Sequence, residues 1–253
     1  MSFFVARGGG RFEATEHTSG PWDARAQHAG PPTALVVREL ERTAPRAGMR
    51  LARVTVEILG PIPVAELEVE ASVEREGRSV ELLAAEMRSE RGAVLRARAW
   101  RVLEAAAPST EGSAPPPLPP REDGSPDFGY GKAIEWRFAV GGWNHPGPAA
   151  VWTRLRMPVV DGEEPSPLQR VAVVADSGNG ISTALDWRRW LFINPELTLH
   201  ALRDAEGEWV CLDAATHIGA TGVARSVLSD RSGPVAFGAQ ALLVAPRPEP
   251  GPA

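Results

Sequence analysis

A segment rich in proline and glycine divides the chain near its middle. Residues 104–131 read EAAAPSTEGSAPPPLPPREDGSPDFGYG, which offers few apolar side chains to bury and few amides for a hydrogen-bonded ladder. We therefore predict two domains, residues 1–103 and 132–253, joined by a linker or surface crossover at 104–131. A chain of 253 residues with 43% hydrophobic content is long and apolar enough for two compact cores.

Each half of the chain shows the same order of elements, one amphipathic helix followed by several strands. The first helix is PPTALVVRELER, with prolines at its first positions and apolar residues at helical spacing. The second helix lies in PSPLQRVAVVADSGNG, where Leu168, Val171, Ala172 and Ala175 form one apolar stripe.

The segments after each helix alternate between apolar and polar residues, which indicates antiparallel strands with one covered face. The predicted strands are LARVTVEIL, AELEVEASVER, SVELLAAEMRSE and AVLRARAWRV in the first half, and TALDWRRWLFI, LTLHAL, EWVCLDAATHI, TGVARSVLSD and PVAFGAQALLV in the second. The repeated order predicts an α+β fold of two antiparallel sheets, each wrapped around a central helix, and indicates an internal duplication.

Composition excludes several classes of protein. The net charge is only -5 and basic residues alternate with acidic ones, so we expect no nucleic-acid partner. Cys211 is the only cysteine, which excludes an intramolecular disulfide and indicates a reducing, cytoplasmic location. No apolar stretch approaches the roughly 20 residues that cross a bilayer, so we expect a soluble protein with no membrane partner.

The common catalytic and metal-binding motifs are missing from the sequence. It has no GxSxG, no GxxxxGK[ST] and no HExxH, and its five histidines are scattered singly. The sequence therefore argues against a serine hydrolase, a nucleotide hydrolase and a zinc enzyme, and we expect no metal and no cofactor.

Three long blocks of sequence resemble a known family. They are GPWDARAQHAGPPTALVVRELER around the first helix, VVADSGNGISTALDWRRWLFINPELTLH around the second, and EWVCLDAATHIGATGVARSVLSDRSGPVAFGAQALL near the end. They resemble the double hot-dog acyl-CoA thioesterases of the TesB-like type. The resemblance implies a double hot-dog fold, hydrolysis of acyl-CoA to a free acid and CoA, and a homo-oligomer.

The resemblance also implies a set of residues that position and activate the attacking water. In the family these are an aspartate, a threonine or serine, and a glutamine. The aspartate falls on Asp176 and the glutamine on Gln240, whereas the matching threonine position holds Ala184. Thr183 or Ser182 would have to supply the hydroxyl group instead.

The surroundings of Asp176 and Gln240 suit this chemistry. Asp176 follows the apolar run VAVVA, so burial and the helix C-terminus should raise its pKa and make it a better base. Gln240 lies in the apolar strand AFGAQALLV, where its amide needs a polar partner. The alternatives are that Asp176 only caps the SGNG turn and that Gln240 faces solvent on an edge strand.

The segment HAGPP places small residues and unpaired amides at the start of the first helix. Gly30 and His28 are therefore candidates for contact with the substrate carbonyl, and with Ser182 they form the predicted substrate-binding set. The alternative for Gly30 is an ordinary turn residue. A site shared between the two halves follows from the substrate-binding hypothesis.

Three hypotheses about function remain open. The leading one is a thioester hydrolase, and the second is a non-catalytic protein that binds acyl-CoA, which Ala184 keeps open. The third is a hot-dog hydratase, which needs a His/Asp pair at a helix start. It ranks last because no aspartate accompanies His28 in HAG.

Overall fold

A computed structural model of the chain describes residues 1–105, 112–120, 124–143 and 145–247. The strands of the first half are β1 (Phe4–Gly8), β2 (Arg11–Ala14), β3 (Met49–Ile58), β4 (Glu66–Arg75), β5 (Val80–Ser89) and β6 (Gly92–Leu103). The strands of the second half are β7 (Ile134–Val140), β8 (Ala149–Leu155), β9 (Trp190–Ile193), β10 (Glu196–Ala201), β11 (Val210–Ile218), β12 (Gly222–Asp230) and β13 (Gly233–Pro246). The helices are α1 (Gly30–Arg42), α2 (Gly129–Ala133), α3 (Pro167–Ala175) and α4 (Gly178–Ile181).

The strands of both halves form one continuous hydrogen-bonded sheet. Its order is β1-β2-β4-β5-β6-β3-β10-β13-β12-β11-β8-β7, and β9 pairs with β13 outside this path. The halves meet where β3 pairs antiparallel with β10, with Thr55 opposite Thr198. The structure does not confirm two sheets, because this pairing joins the halves side by side and satisfies the backbone groups that would otherwise leave an open edge on each half.

Helices α1 and α3 lie together on one face of this sheet. Helix α1 packs on β3, β4 and β5, whereas α3 packs on β10, β11 and β12, and the two helices also contact each other. Their buried residues belong to one hydrophobic core that runs through both halves. Both predicted helices are confirmed, although the second ends at Ala175 and α4 follows after two residues. Among the described helices none is long and apolar enough to span a membrane.

The predicted strand TALDWRRWLFI is wrong over most of its length. Only Trp190–Ile193 is a strand, and the residues before it form a turn around Asp186. The carboxylate of Asp186 accepts the N–H of Arg188 at 2.9 Å, and its carbonyl accepts the N–H of Trp190 at 3.0 Å. An aspartate that bonds to nearby backbone amides in this way competes with strand pairing.

The predicted linker, residues 104–131, is described only in part. Its described stretch 112–120 lies against the second half, where Trp152 Nε1 donates a hydrogen bond to the carbonyl of Pro116 at 2.9 Å. Leu118 packs on the small apolar cluster that contains Trp152. This part of the segment is therefore held to the surface of β8, and the domain boundaries themselves stay a prediction.

Candidate active site

Asp176 lies at the C-terminal end of α3, inside the protein, with 4% of its surface exposed. Its Oδ1 accepts hydrogen bonds from Asn194 Nδ2 at 2.7 Å and from Gln240 Nε2 at 3.1 Å. Its Oδ2 lies 3.2 Å from His28 Nδ1, and the carboxylate also accepts the backbone N–H of Ala29. The apolar stripe of α3 packs into the core and so carries this carboxylate to the junction between the two halves.

Burial dominates the acidity of Asp176. Desolvation raises the pKa of this carboxyl group from 3.8 to about 7, and the hydrogen bonds from Asn194, Gln240 and Ala29 lower the pKa without cancelling that rise. A carboxylate with a pKa near neutrality is a stronger base than an exposed aspartate. It can therefore take a proton from a water molecule at physiological pH.

Gln240 lies on β13, is 2% exposed and joins the ends of two helices. Its Nε2 donates to the carbonyl and to Oδ1 of Asp176, both at 3.1 Å. Its Oε1 accepts the backbone N–H of Asn179 in α4 at 3.1 Å. The alternative of a solvent-facing glutamine is therefore wrong, and the amide holds α3, α4 and the sheet in one arrangement.

His28 faces Asp176 from the first half of the chain. Its ring stacks on Tyr130 with the ring centroids 3.8 Å apart, and its Nδ1 accepts the N–H of Gly30 at 3.1 Å. Burial lowers the pKa of His28 from 6.5 to about 3, so the imidazole is neutral at physiological pH. The 3.2 Å contact with Asp176 is therefore not an ion pair, although a protonated Asp176 can donate from Oδ2 to Nδ1.

Gly30 starts α1 at the point where the two core helices touch. A Cβ at this position would lie 2.1 Å from the carbonyl oxygen of Val173, so no larger residue fits without moving α3. Its N–H already donates to His28 and is not free for a substrate oxygen in this structure. The placement explains the glycine by helix packing, and its substrate-binding role stays a prediction.

The hydroxyl groups of Ser182 and Thr183 bond to the end of α4 instead of to Asp176. Ser182 Oγ donates to the carbonyl of Gly178 at 2.7 Å and shares a 2.8 Å hydrogen bond with Thr216. Thr183 Oγ1 donates to the carbonyl of Gly180 at 2.9 Å. In the described part of the chain, neither hydroxyl bonds to Asp176, so these contacts give no support to the predicted role of Thr183 in activating water.

Two side chains of this cluster were missed by the sequence analysis. Asn194 lies in INPE, which reads as a turn, yet its amide bonds the carboxylate of Asp176. Tyr130 is the only tyrosine and lies one residue before the end of the predicted linker. Its hydroxyl donates to the carbonyl of Val173 at 2.9 Å and lies 2.7 Å from Ser177 Oγ. No sequence pattern marks either residue as part of the site, because both reach it through contacts between segments that are distant in the sequence.

A wider groove lies away from this cluster. Its volume is about 1080 Å³, and it is lined by Arg53, Thr55, Glu86, Arg98 and Trp100 among others. These residues alternate with buried ones along their strands and so face away from α1 and α3. The volume of this groove would favour the outer face of the sheet as a binding surface. Its charged pairs, however, are ordinary for an exposed sheet surface, whereas the buried carboxylate of Asp176 is not, so we place the candidate site at Asp176. Across the described residues, no group of three or more His, Cys, Asp or Glu side chains could hold a metal ion.

Comparison with known proteins supports the assignment to a family. The N-terminal domain model of acyl-CoA thioesterases matches residues 18–102, and the C-terminal domain model matches residues 107–244. A comparison with curated proteins gave no match.

Solved structures with the same fold are numerous. A hot-dog-fold protein of unknown function from Alicyclobacillus acidocaldarius is 16% identical, with a TM-score of 0.75 and 96% of each chain covered. The acyl-CoA thioesterase II TesB2 from Mycobacterium marinum is 13% identical, with a TM-score of 0.70 and 98% of this chain and 97% of that chain covered. The tesB protein from Mycobacterium avium subs paratuberculosis is 15% identical, with a TM-score of 0.67 and coverages of 97% and 96%.

The structural similarity establishes the hot-dog fold. At identities this low it says nothing of the activity, which needs other evidence. The two domain models, however, match most of the chain from end to end. The resemblance to TesB-like thioesterases is confirmed, and the chain belongs to the acyl-CoA thioesterase family.

Proposed function

We propose that this protein hydrolyses acyl-CoA to a free acid and CoA, with Asp176 as the base that activates water. Membership of the family supports thioester hydrolysis in general. The observation that carries the more specific proposal is a buried carboxylate with a pKa of about 7, held by Gln240 and Asn194 and facing a neutral His28.

In the proposed reaction, Asp176 takes one proton from water while the water oxygen bonds to the acyl carbon. The tetrahedral intermediate then collapses, the C–S bond breaks, and the sulfur of CoA leaves and receives the proton from Asp176. While Asp176 is protonated, its Oδ2–H can donate to His28 Nδ1, which is 3.2 Å away, in place of the N–H of Gly30, because a neutral ring nitrogen has one lone pair to offer. His28 is thus a positioning residue that holds the proton in place between the two steps.

Gln240 has a positioning role in this proposal, because both of its amide hydrogens are in use. They donate to the carbonyl and to Oδ1 of Asp176, and its oxygen accepts from Asn179. We therefore assign to Gln240 the orientation of the carboxylate, and the carboxylate in turn orients the water. The role of Thr183 in activating water stays a prediction, because its hydroxyl donates to Gly180.

We further propose that the two halves are two fused hot-dog units that share one site. His28 and Gly30 come from the first half, and Asp176, Asn194 and Gln240 come from the second. The family's two domain models and the repeated order of helix and strands support this arrangement.

A thiol-release assay over acyl-CoAs of several chain lengths tests the proposed activity. We expect the unmodified protein to release CoA and Asp176→Asn to lower kcat by about 10²–10⁴-fold, because the amide cannot take the proton. The matched control is Asp213→Asn, which changes an exposed aspartate on β11 and should leave the rate unchanged. Equal rates in Asp176→Asn and the unmodified protein would exclude Asp176 as the base.

The second hypothesis, a protein that binds acyl-CoA without hydrolysing it, is favoured by one observation. Ala184 is exposed where the family has a hydroxyl residue, and the neighbouring Thr183 points its hydroxyl at α4. Binding of acyl-CoA without CoA release from the unmodified protein would establish this alternative. The hydratase hypothesis gains from the 3.2 Å contact of His28 with Asp176, and product analysis with an enoyl-CoA separates hydration from hydrolysis.

A further inference from the structure

Two exposed tryptophans enclose one arginine on the surface beside the candidate site. The guanidinium carbon of Arg247 lies 5.0 Å from the ring centroid of Trp22 and 6.0 Å from that of Trp187. The two tryptophans are 45% and 52% exposed, respectively. An indole stabilises a fold mainly through the area it buries, so two indoles left half open present a flat apolar surface to a ligand.

The position of Arg247 is fixed by the backbone around it. Its side-chain Nε donates to the carbonyl of Trp187 at 2.8 Å, and its N–H donates to the carbonyl of Arg189 at 2.9 Å. These bonds continue the pairing of β13 with β9 by one residue. The guanidinium carbon of Arg188 also lies 5.9 Å from the ring centroid of Trp187. We call Trp22, Trp187 and Arg247 the tryptophan platform.

A second arginine-tryptophan cluster in the same protein differs from the tryptophan platform in the charge of its arginines. At Trp209, the guanidinium carbons of Arg137 and Arg154 lie 4.6 and 5.1 Å from the ring centroid. Both arginines donate to the carboxylate of Glu135 at 2.7 Å, and Arg154 also donates to Glu208 at 3.3 Å, so two carboxylates within the protein balance the two positive charges. Among the described residues, Arg247 makes no such ion pair, and the tryptophan platform therefore combines aromatic faces with a positive charge that an anion can still reach.

A short chain of contacts links the tryptophan platform to the catalytic cluster. Trp22 packs edge-on against Phe192, with ring centroids 5.8 Å apart. The carbonyl of Phe192 accepts a hydrogen bond from Asn179 Nδ2 at 3.2 Å, and the backbone N–H of Asn179 donates to Gln240. Trp22 also precedes His28 in the loop before α1, so the platform and the cluster lie on the same junction between the halves.

We propose that the tryptophan platform binds the nucleotide part of CoA, its adenine ring on an indole and its phosphates on Arg247. Purines stack on indole rings, and a guanidinium pairs with phosphate through two parallel hydrogen bonds. This inference rests on the proposed function and deepens it, because it names the residues that would hold the nucleotide of CoA. An acyl group carried on a protein would not need a site for adenine.

Two thioesters of the same acyl group, one on CoA and one on N-acetylcysteamine, provide the test. Only the first carries a nucleotide. We expect Trp187→Ala to raise KM for the acyl-CoA about tenfold, since stacking of one base contributes about 1–3 kcal/mol and 1.4 kcal/mol is tenfold in affinity. We expect kcat to stay unchanged, and KM for the N-acetylcysteamine thioester to stay unchanged as well. Trp209→Ala is the matched control and should alter neither KM.

Titration calorimetry with adenosine 3′,5′-bisphosphate provides a measurement that does not need hydrolysis. The unmodified protein should bind this nucleotide, and both Trp187→Ala and Arg247→Gln should weaken binding about tenfold or more. Binding without any thioester hydrolysis would keep the nucleotide site and exclude the proposed activity. The nucleotide site would be excluded by unchanged binding in both variants, or by an equal rise in KM for both thioesters.

Discussion

The two core helices begin alike and end differently. Both α1 and α3 carry proline in their first turn and pack an apolar face on the sheet. Helix α1 continues to Arg42 and ends near the surface, where Arg38 and Arg42 pair with Glu163. Helix α3 stops within the core at Asp176. A shared start gives each half its core helix, whereas the point at which the helix ends decides which half carries the buried carboxylate.

Strands β13 and β6 differ in the same way, since only one of them presents a polar side chain to a helix. On β13 the buried residue Gln240 faces Asp176, whereas the inward position on β6 holds Ala99, which is fully buried. An alanine offers no donor to a helix end. A single polar cluster thus lies at a junction to which the first half contributes mainly His28 and packing.

Substitution of the two inward-facing residues, Gln240 and Ala99, should give the largest difference in activity between the halves. Gln240→Leu leaves the Asp176 carboxylate and the Asn179 N–H without their amide partner, and we expect kcat/KM to fall by roughly 10²-fold or more. Ala99→Leu overpacks the first half and should cost about 1–3 kcal/mol of stability while leaving kcat of the folded protein intact. Steady-state kinetics and urea unfolding of both variants measure this, and similar losses of kcat would contradict an unequal division.

Asp176 and His28, which face each other across the junction, should affect the pH dependence of stability in opposite directions. Asp176 has its pKa raised to about 7, so its contribution to stability is present below pH 4 and is lost as the pH rises through 7. His28 has its pKa lowered to about 3, so its contribution is present above pH 6.5 and is lost as the pH falls towards 3. The two slopes oppose each other between pH 4 and 6.5 in the unmodified protein.

Removal of either group should therefore reveal the slope of the other. Relative to the unmodified protein, Asp176→Asn should become more stable as the pH rises from 4 to 6.5, and His28→Asn should become less stable. A single group contributes at most about 1.4 kcal/mol per pH unit. Urea unfolding at several pH values measures these slopes, and slopes equal to that of the unmodified protein would show that the two groups are not shifted.

The close approach of α1 and α3 can be tested at Gly30, with Gly180 as a control. Gly30→Ala places a Cβ against the Val173 carbonyl and should cost about 1–3 kcal/mol of stability, with a loss of activity as His28 moves away from Asp176. Gly180→Ala is the control, because a Cβ there meets nothing within 4 Å. In a helical position it should be neutral or stabilise by about 0.4–1 kcal/mol. Thermal unfolding of both variants is the measurement, and equal melting temperatures would contradict the close approach.

The smallest expected effect concerns the helix starts. Ser166 caps α3 by accepting the N–H of Gln169 at 3.1 Å, whereas Ala29 offers no side-chain cap to α1. Ser166→Ala should therefore cost about 1 kcal/mol of stability. Ala29→Ser should change stability less, since Pro31 and Pro32 have no N–H to cap and the N–H of Gly30 already donates to His28. Urea unfolding distinguishes the two, and a larger effect at Ala29 would contradict this difference.

Much of the local structure was predictable because local periodicity encodes it. The apolar spacing and prolines of α1 and α3 predicted both helices, and the alternation in AELEVEASVER predicted β4. The family resemblance assigned Asp176 and Gln240, and the apolar run before Asp176 and the apolar strand around Gln240 agreed with that assignment. The structure brings the two within 3.1 Å. Their catalytic roles stay a prediction until the variants are measured.

Other features could not be predicted, because they depend on contacts between distant segments. Asn194 reads as a turn residue and Tyr130 as the end of a linker, yet both reach the cluster. The direction of the Thr183 hydroxyl is set by the end of α4, which the sequence did not separate from α3.

The sequence by itself determined the order of elements, the two amphipathic helices and the residue types available for acid–base chemistry, because each depends on neighbours along the chain. The tertiary structure decided that β3 and β10 join the halves into one sheet and that His28 meets Asp176 across the helix crossing. It also decided the proton affinity of that aspartate, because burial is a property of the packed protein and not of any segment.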